Sequence, residues 1–352
     1  MRDQTLDIAK GIGILLVVVG HIYTYNQLIY LFHMPLFFVL SGAGLSYSRH
    51  PFSIRKKWQT LMIPYFLFSF LCFLYWFSIE SRFRPENNYI LFSGLLGTLD
   101  TDAQQFINIF LAENAFYAFP YNVVLWFLPC LFVAECIYNV ISRFKPVYYA
   151  GIGGGGIILY YCLIPLLPSL PWGIDIALLA IPFIAIGDKL YKPLNRLLRP
   201  RPQLVLLITI VTCALFVSLY YLLHPVTNMG KYIIPNVFVF YGMALIGCFI
   251  VLTSATLITH FTRYSKPLVY IGRNSLIIMC IHEPVKRIVL AFFSILSYTD
   301  VTVFKQSLTW SIFISIITVL ICLPSIPLIH RYFPWLAGKK RMPSERKTHL
   351  NT

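Results

Sequence analysis

Charge is what this 352-residue chain has least of: Asp, Glu, Lys and Arg together make up 12% of it, and acids contribute only 13 of those residues against 28 bases. A water-facing domain carries roughly 25% charged residues, so a soluble enzyme, a disordered scaffold and a nucleic-acid binder are all excluded. The surplus of bases does not restore the nucleic-acid reading, because they sit in short clusters between long apolar runs. Paired cysteines are missing too. The eight cysteines, Cys72, Cys130, Cys136, Cys162, Cys213, Cys248, Cys280 and Cys322, each lie inside an apolar run with no CxxC pair or zinc-like Cys/His spacing. Small packing residues are the simplest account of them. No internal repeat of the transporter kind is visible. The run Gly153 to Gly156 lacks the strand–turn–helix setting of a phosphate loop and fits close helix packing instead.

What the chain does have is apolar length. Hydrophobic residues reach 58%, and the mean hydropathy is +0.72. A helix needs about 20 mostly apolar residues to cross the hydrocarbon core. Ten segments meet that test: 9–27, 30–47, 59–78, 122–141, 147–166, 173–190, 203–223, 234–257, 267–283 and 309–330. The first ends at Gly20-His21-Ile22 without a small-residue cleavage site, which predicts a retained span rather than a leader. The expected fold is an all-α integral membrane bundle of about ten helices over residues 1–335, with a basic tail at 336–352. With the N-terminus and C-terminus cytoplasmic, only Arg82, Arg84, Lys231, Lys286, Arg287 and Lys305 of the 28 bases fall outside, as the positive-inside rule requires. Two outer segments exceed simple turns. Residues 79–121 have room for an interfacial helix, and 284–308 read as an amphipathic stretch.

Ionisable groups inside a bilayer are costly and mark function. The first span holds Asp7, Lys10 and His21. Eleven residues at 100° each bring Lys10 and His21 to within about 20° of one face, roughly 16 Å apart along the axis. A snorkelling cation for Lys10 and a satisfied interhelical hydrogen bond for His21 are the structural alternatives. His33, opening the second span, and His282, closing the ninth, reach a similar depth. Three histidines there lack the spacing of a zinc site, whereas an imidazole suits general base work on a hydroxyl. Glu135 and Asp175 are read as members of structural pairs.

These residues fall into a recognisable pattern. Leu6-Asp7-Ile8-Ala9-Lys10-Gly11-Ile12-Gly13 followed by His21 resembles the basic-residue–ten–histidine signature of acyltransferase family 3, particularly its fucose 4-O-acetylase-like branch. Phe32 to Gly42, Leu61 to Tyr65, Leu125 to Leu128, and Ile271 to Leu276 running on to His282 are similar to further motifs of that family, in the expected order. The resemblance implies ten spans and transfer of an acyl group, usually acetyl, from acetyl-CoA to a hydroxyl of a surface polysaccharide or its lipid-linked precursor. The expected setting is a bacterial inner membrane. It implies His21 as the catalytic histidine and Lys10 as its basic partner, where many members carry arginine. Arginine would grip a phosphate bidentately, and lysine acts as a point charge.

On this reading Lys10, Arg55, Lys56, Lys57 and Arg273 hold the CoA phosphates, with Asp7, Ser41 and Asn274 in support. His33, Trp126 and His282 face the acceptor, Trp126 serving either as a platform for a sugar ring or as an interfacial anchor. The partners expected are acetyl-CoA as cosubstrate, a sugar or polysaccharide acceptor and membrane lipids. Neither a metal nor a permanently bound cofactor is expected. A glycan transporter or flippase is the competing reading.

Overall fold

The computed structural model describes residues 3–48, 51–80, 101–112, 122–144, 170–231 and 233–334. The expected fifth span, 147–166, lies outside these, as does the tail at 336–352. Among the described residues the chain is helical, apart from a single bridge between Asn228 and Ile233. The helices are α1 (Gln4–Ile22), α2 (Gln27–Tyr30), α3 (His33–Ser46), α4 (Ile54–Lys57), α5 (Ile63–Tyr75), α6 (Thr101–Leu111), α7 (Phe127–Ile141), α8 (Ile174–Leu198), α9 (Pro202–Leu223), α10 (Val237–Ile258), α11 (Thr262–Arg273), α12 (Ser275–Ser297), α13 (Val301–Gln306), α14 (Leu308–Cys322) and α15 (Ser325–Tyr332). Among the described residues, six stretches are long and apolar enough to cross a membrane: 4–22, 27–46, 54–79, 202–223, 237–258 and 308–332. The protein is an all-α, multi-pass membrane protein.

Helix starts follow capping chemistry. The Asp3 carboxylate accepts from the Thr5 amide at 2.9 Å and opens α1. Its other oxygen accepts from Tyr191 Oη and Asn195 Nδ2, each at 3.0 Å, and so ties the start of α1 to the last turns of α8. The cap of α1 is thus Asp3, one turn before Asp7. Among the described residues, two helix pairs meet backbone to backbone through glycine. A side chain on Gly42 or Gly187 would strike the opposite main chain of α8 or α3. A side chain on Gly11 or Gly272 would do the same between α1 and α11.

The ninth span departs from expectation. The chain breaks at Asn274 between α11 and α12, and α12 then runs 23 residues to Ser297, well beyond the expected end at 283. Pro284 does not stop it. Proline lacks the N–H that would bond to the carbonyl four residues back, at Cys280. That carbonyl instead accepts from Asn122 Nδ2 at 2.7 Å. The stretch expected to be amphipathic is therefore the outer half of a long helix followed by the short α13. Within 79–121, where an interfacial helix is expected, the described residues form α6.

Candidate active site

The end of α1 is held from two sides. The last carbonyls of a helix have no partner within it. Here Asn26 Nδ2 donates to the Gly20 carbonyl at 2.6 Å, and Lys286 Nζ donates to the His21 carbonyl at 3.1 Å. Lys286 also donates to both carboxylate oxygens of Glu283, at 2.8 and 2.7 Å, and Arg287 Nε approaches the same carboxylate at 3.4 Å. Glu283 and Lys286 are buried, and the carboxylate lies within electrostatic reach of the His21 imidazole.

Around His21 the rings of Tyr30, His33 and His282 lie with centroids 6.0, 6.3 and 5.9 Å away. The two other histidines have fixed tautomers. His33 Nδ1 lies 2.9 Å from the Ile29 carbonyl, and His282 Nδ1 lies 3.0 and 2.9 Å from the carbonyls of Ile278 and Met279. A carbonyl only accepts, so Nδ1 carries the hydrogen, and in the neutral ring Nε2 is left with its lone pair. His282 Nε2 is buried without a hydrogen-bond partner among the described residues. The cluster thus collects proton acceptors at one point. No group of three or more His, Cys, Asp or Glu among the described residues is arranged to hold a metal.

His21, Tyr30, His33 and Trp126 line a small cavity of about 30 Å³, room for little more than a water or two by the rough minimum of 10–15 Å³ each. Trp126 is 7% exposed, its ring covered by Gly230, where a Cβ would come within 3.2 Å of Cζ2. It is part of the cavity wall, not an anchor at the lipid boundary. The next residue, Lys231, is half-buried, which lowers its ammonium below the ordinary lysine value.

At the Lys10 end of α1 a larger cavity of about 730 Å³ is lined by Lys10, Lys56, Lys57 and Arg273, with Ser41 and Glu135 in its wall. A π-helical turn, Trp58–Met62, brings Thr60 and Leu61 to the same wall as Lys57, an irregularity frequent at functional sites. Lys57 Nζ lies 2.6 Å from Glu135 Oε1, and the Ser41 hydroxyl donates to the same oxygen. The expected structural pairing of Glu135 is therefore present, on this cavity's wall. Across it Tyr138 Oη donates to Asp188 at 2.8 Å.

Asp7, expected in support of the donor-side bases, accepts from Arg273 Nε at 2.9 Å. Not every expected residue arrives. Arg55 is exposed on α4 and does not line the cavity. Asn274 marks the helix break, where its side chain donates to the Tyr270 carbonyl and its Oδ1 lies 2.7 Å from His330 Nε2. Glu283, Lys286 and Tyr30 were missed. The acid and base three apart, directly after His282, were the available signal, obscured by ending the span at 283.

A sequence profile of the acyltransferase domain of acyltransferase family 3 matches residues 3–326, nearly the whole chain. The chain belongs to acyltransferase family 3. It is a membrane acyltransferase, and the match favours acyl transfer over the transport reading. No curated protein and no solved structure matches it.

Proposed function

We propose that this family 3 protein is an O-acyltransferase that moves acetyl from acetyl-CoA to a hydroxyl of a surface polysaccharide or its lipid-linked sugar precursor, in the manner of the fucose 4-O-acetylase-like branch. The setting proposed is a bacterial inner membrane. The observation that carries this reading is the pairing of two unlike cavities along one face of α1, the larger lined by Lys10, Lys56, Lys57 and Arg273, the smaller by His21 and His33. A cluster of ammonium and guanidinium groups suits the phosphates of CoA. A site rich in imidazole lone pairs suits an incoming hydroxyl, which must give up its proton.

In the proposed reaction the acceptor oxygen bonds to the thioester carbonyl carbon while His21 takes the hydroxyl proton. The carbon–sulfur bond then breaks, and the departing CoA sulfur recovers a proton from the imidazolium. Lys286, bonded to the His21 carbonyl, fixes where the ring stands, and the Glu283 carboxylate favours the imidazolium electrostatically. The test is transfer of labelled acetyl from acetyl-CoA to cellular glycan. His21→Ala is expected to lower it by at least 100-fold, within the range typical of removing a general base, with membrane abundance unchanged. Full retained activity would remove His21 from the chemistry.

A further inference from the structure

The two cavities adjoin each other. They share three lining residues, Phe37 of α3, Phe127 of α7 and Met279 of α12, which stand between the Lys-rich side and the histidine side. The rings of Phe37 and Phe127 meet edge to face with centroids 5.9 Å apart. Phe37 lies over Gly13 of α1, where a Cβ would come within 3.2 Å of its Cζ, so the missing side chain is what admits the ring. Phe127 and Met279 are buried, and Phe37 is half-buried.

We propose that Phe37, Phe127 and Met279 form a side-chain shutter that separates the two cavities at rest and limits passage between them to small acyl groups. The backbones around it are poorly placed to move, because α3 lies against α8 at Gly42 and Gly187, and α1 against α11 at Gly11 and Gly272. Interfaces this close are packed like interiors and do not deform smoothly. Opening therefore falls to rotamers. Methionine has three rotatable side-chain bonds and adapts readily to irregular gaps, and Phe37 has the larger, Lys-rich cavity on one side into which to turn. The barrier is apolar, so it also keeps water and protons from crossing while no donor is in place. The selection of small acyl groups rests on the acyl-transfer reading, whereas the barrier itself does not.

The test reads both parts in the full chain. Met34 lines the histidine cavity alone. In membrane vesicles that present the Lys-rich end, a small charged methanethiosulfonate is applied to Met34→Cys, and labelling at position 34 is read by peptide mass spectrometry. Position 34 is expected to stay unlabelled in that background. Adding Met279→Ala, or Phe37→Leu should the first variant fold poorly, is expected to raise labelling at least 10-fold. Labelling without the added change, or none with either variant, would overturn the shutter. The same variants are then given acetyl-CoA and hexanoyl-CoA. Relative use of the longer thioester is expected to rise at least 10-fold, and an unchanged ratio would overturn the selective role. Variant-dependent labelling with no thioester turned over would support the barrier and sink the acyl-transfer reading instead.

Discussion

At the scale of single residues, the buried pair of Glu283 and Lys286 separates stability from chemistry. Removing one partner of a buried ion pair leaves the other charge uncompensated, at a cost of roughly 3–5 kcal/mol, whereas replacing both with apolar groups is often near neutral. Lys286→Met leaves Glu283 only the longer contact with Arg287 and should therefore destabilise the protein by up to about that much, and Glu283→Leu/Lys286→Met should recover much of the loss. Activity should not follow. Both variants lack the ammonium that donates to the His21 carbonyl, so acetyl transfer should stay low in the double variant even as stability returns. Thermal unfolding in detergent beside the labelled-acetyl assay checks this, and parallel recovery of both quantities would show that Lys286 serves only its partner. This pair was the least legible part of the site. Lys10, His21, His33 and His282 stand out in sequence because ionisable side chains are rare in apolar runs. Glu283 and Lys286 did not, because a cluster of charges beside a proline looks like a loop until the partners that bury it are known.

At the scale of the element, glycine decides how near the helices come. Gly272 has no room for a Cβ against the Asp7 carbonyl, while Gly242 on α10 has open space. Gly272→Ala must push α11 away from α1, and overpacking of this kind costs roughly 1–3 kcal/mol. Gly242→Ala should stay within about 1 kcal/mol of the parent, the size of the helix-propensity difference. The buried thiols of Cys72, Cys130, Cys248 and Cys280 provide the probe, since a thiol-reactive dye reaches them only as the bundle opens. Equal melting temperatures for the two variants would contradict the close contact of α1 and α11. Hydropathy placed the strongly apolar helices well, because length and apolarity are the physical requirements for crossing a bilayer. It failed at residues 267–297, where the break at Asn274 and the continuation through Pro284 depend on tertiary hydrogen bonds from His330 and Asn122. Such bonds leave no periodic trace.

At the scale of the whole molecule, the bases among the described residues sort by end. Asp3 bonded to Tyr191 and Asn195, Tyr47 packed on Tyr191 at 6.0 Å, Arg273 on Asp7 and Asn274 on His330 together place the start of α1 and the ends of α3 and α8 with the α11–α12 junction and α15. That end carries Lys192, Arg196, Arg199 and Arg201 as well as the bases of the larger cavity. Lys231, Lys286, Arg287 and Lys305 lie at the other, where the Thr24 amide donates to the Lys305 carbonyl at 2.9 Å and Lys286 reaches His21. Among the described residues this division is the one expected from sequence, and the orientation proposed from the positive-inside rule has the Lys-rich cavity toward the cytoplasm, where acyl-CoA is made. Three exposed positions test it. Ser53→Cys and Arg199→Cys should react with an impermeant maleimide only after the membrane is opened, and Tyr298→Cys, 98% exposed at the far end of α12, should react in intact spheroplasts. If all three behaved in the opposite way, the fold would stand while the larger cavity faced away from the cytoplasmic donor, and acetyl-CoA would have to be abandoned as the acyl source. If Ser53→Cys and Arg199→Cys reacted on different sides, the arrangement of α3 against α8 would itself be wrong.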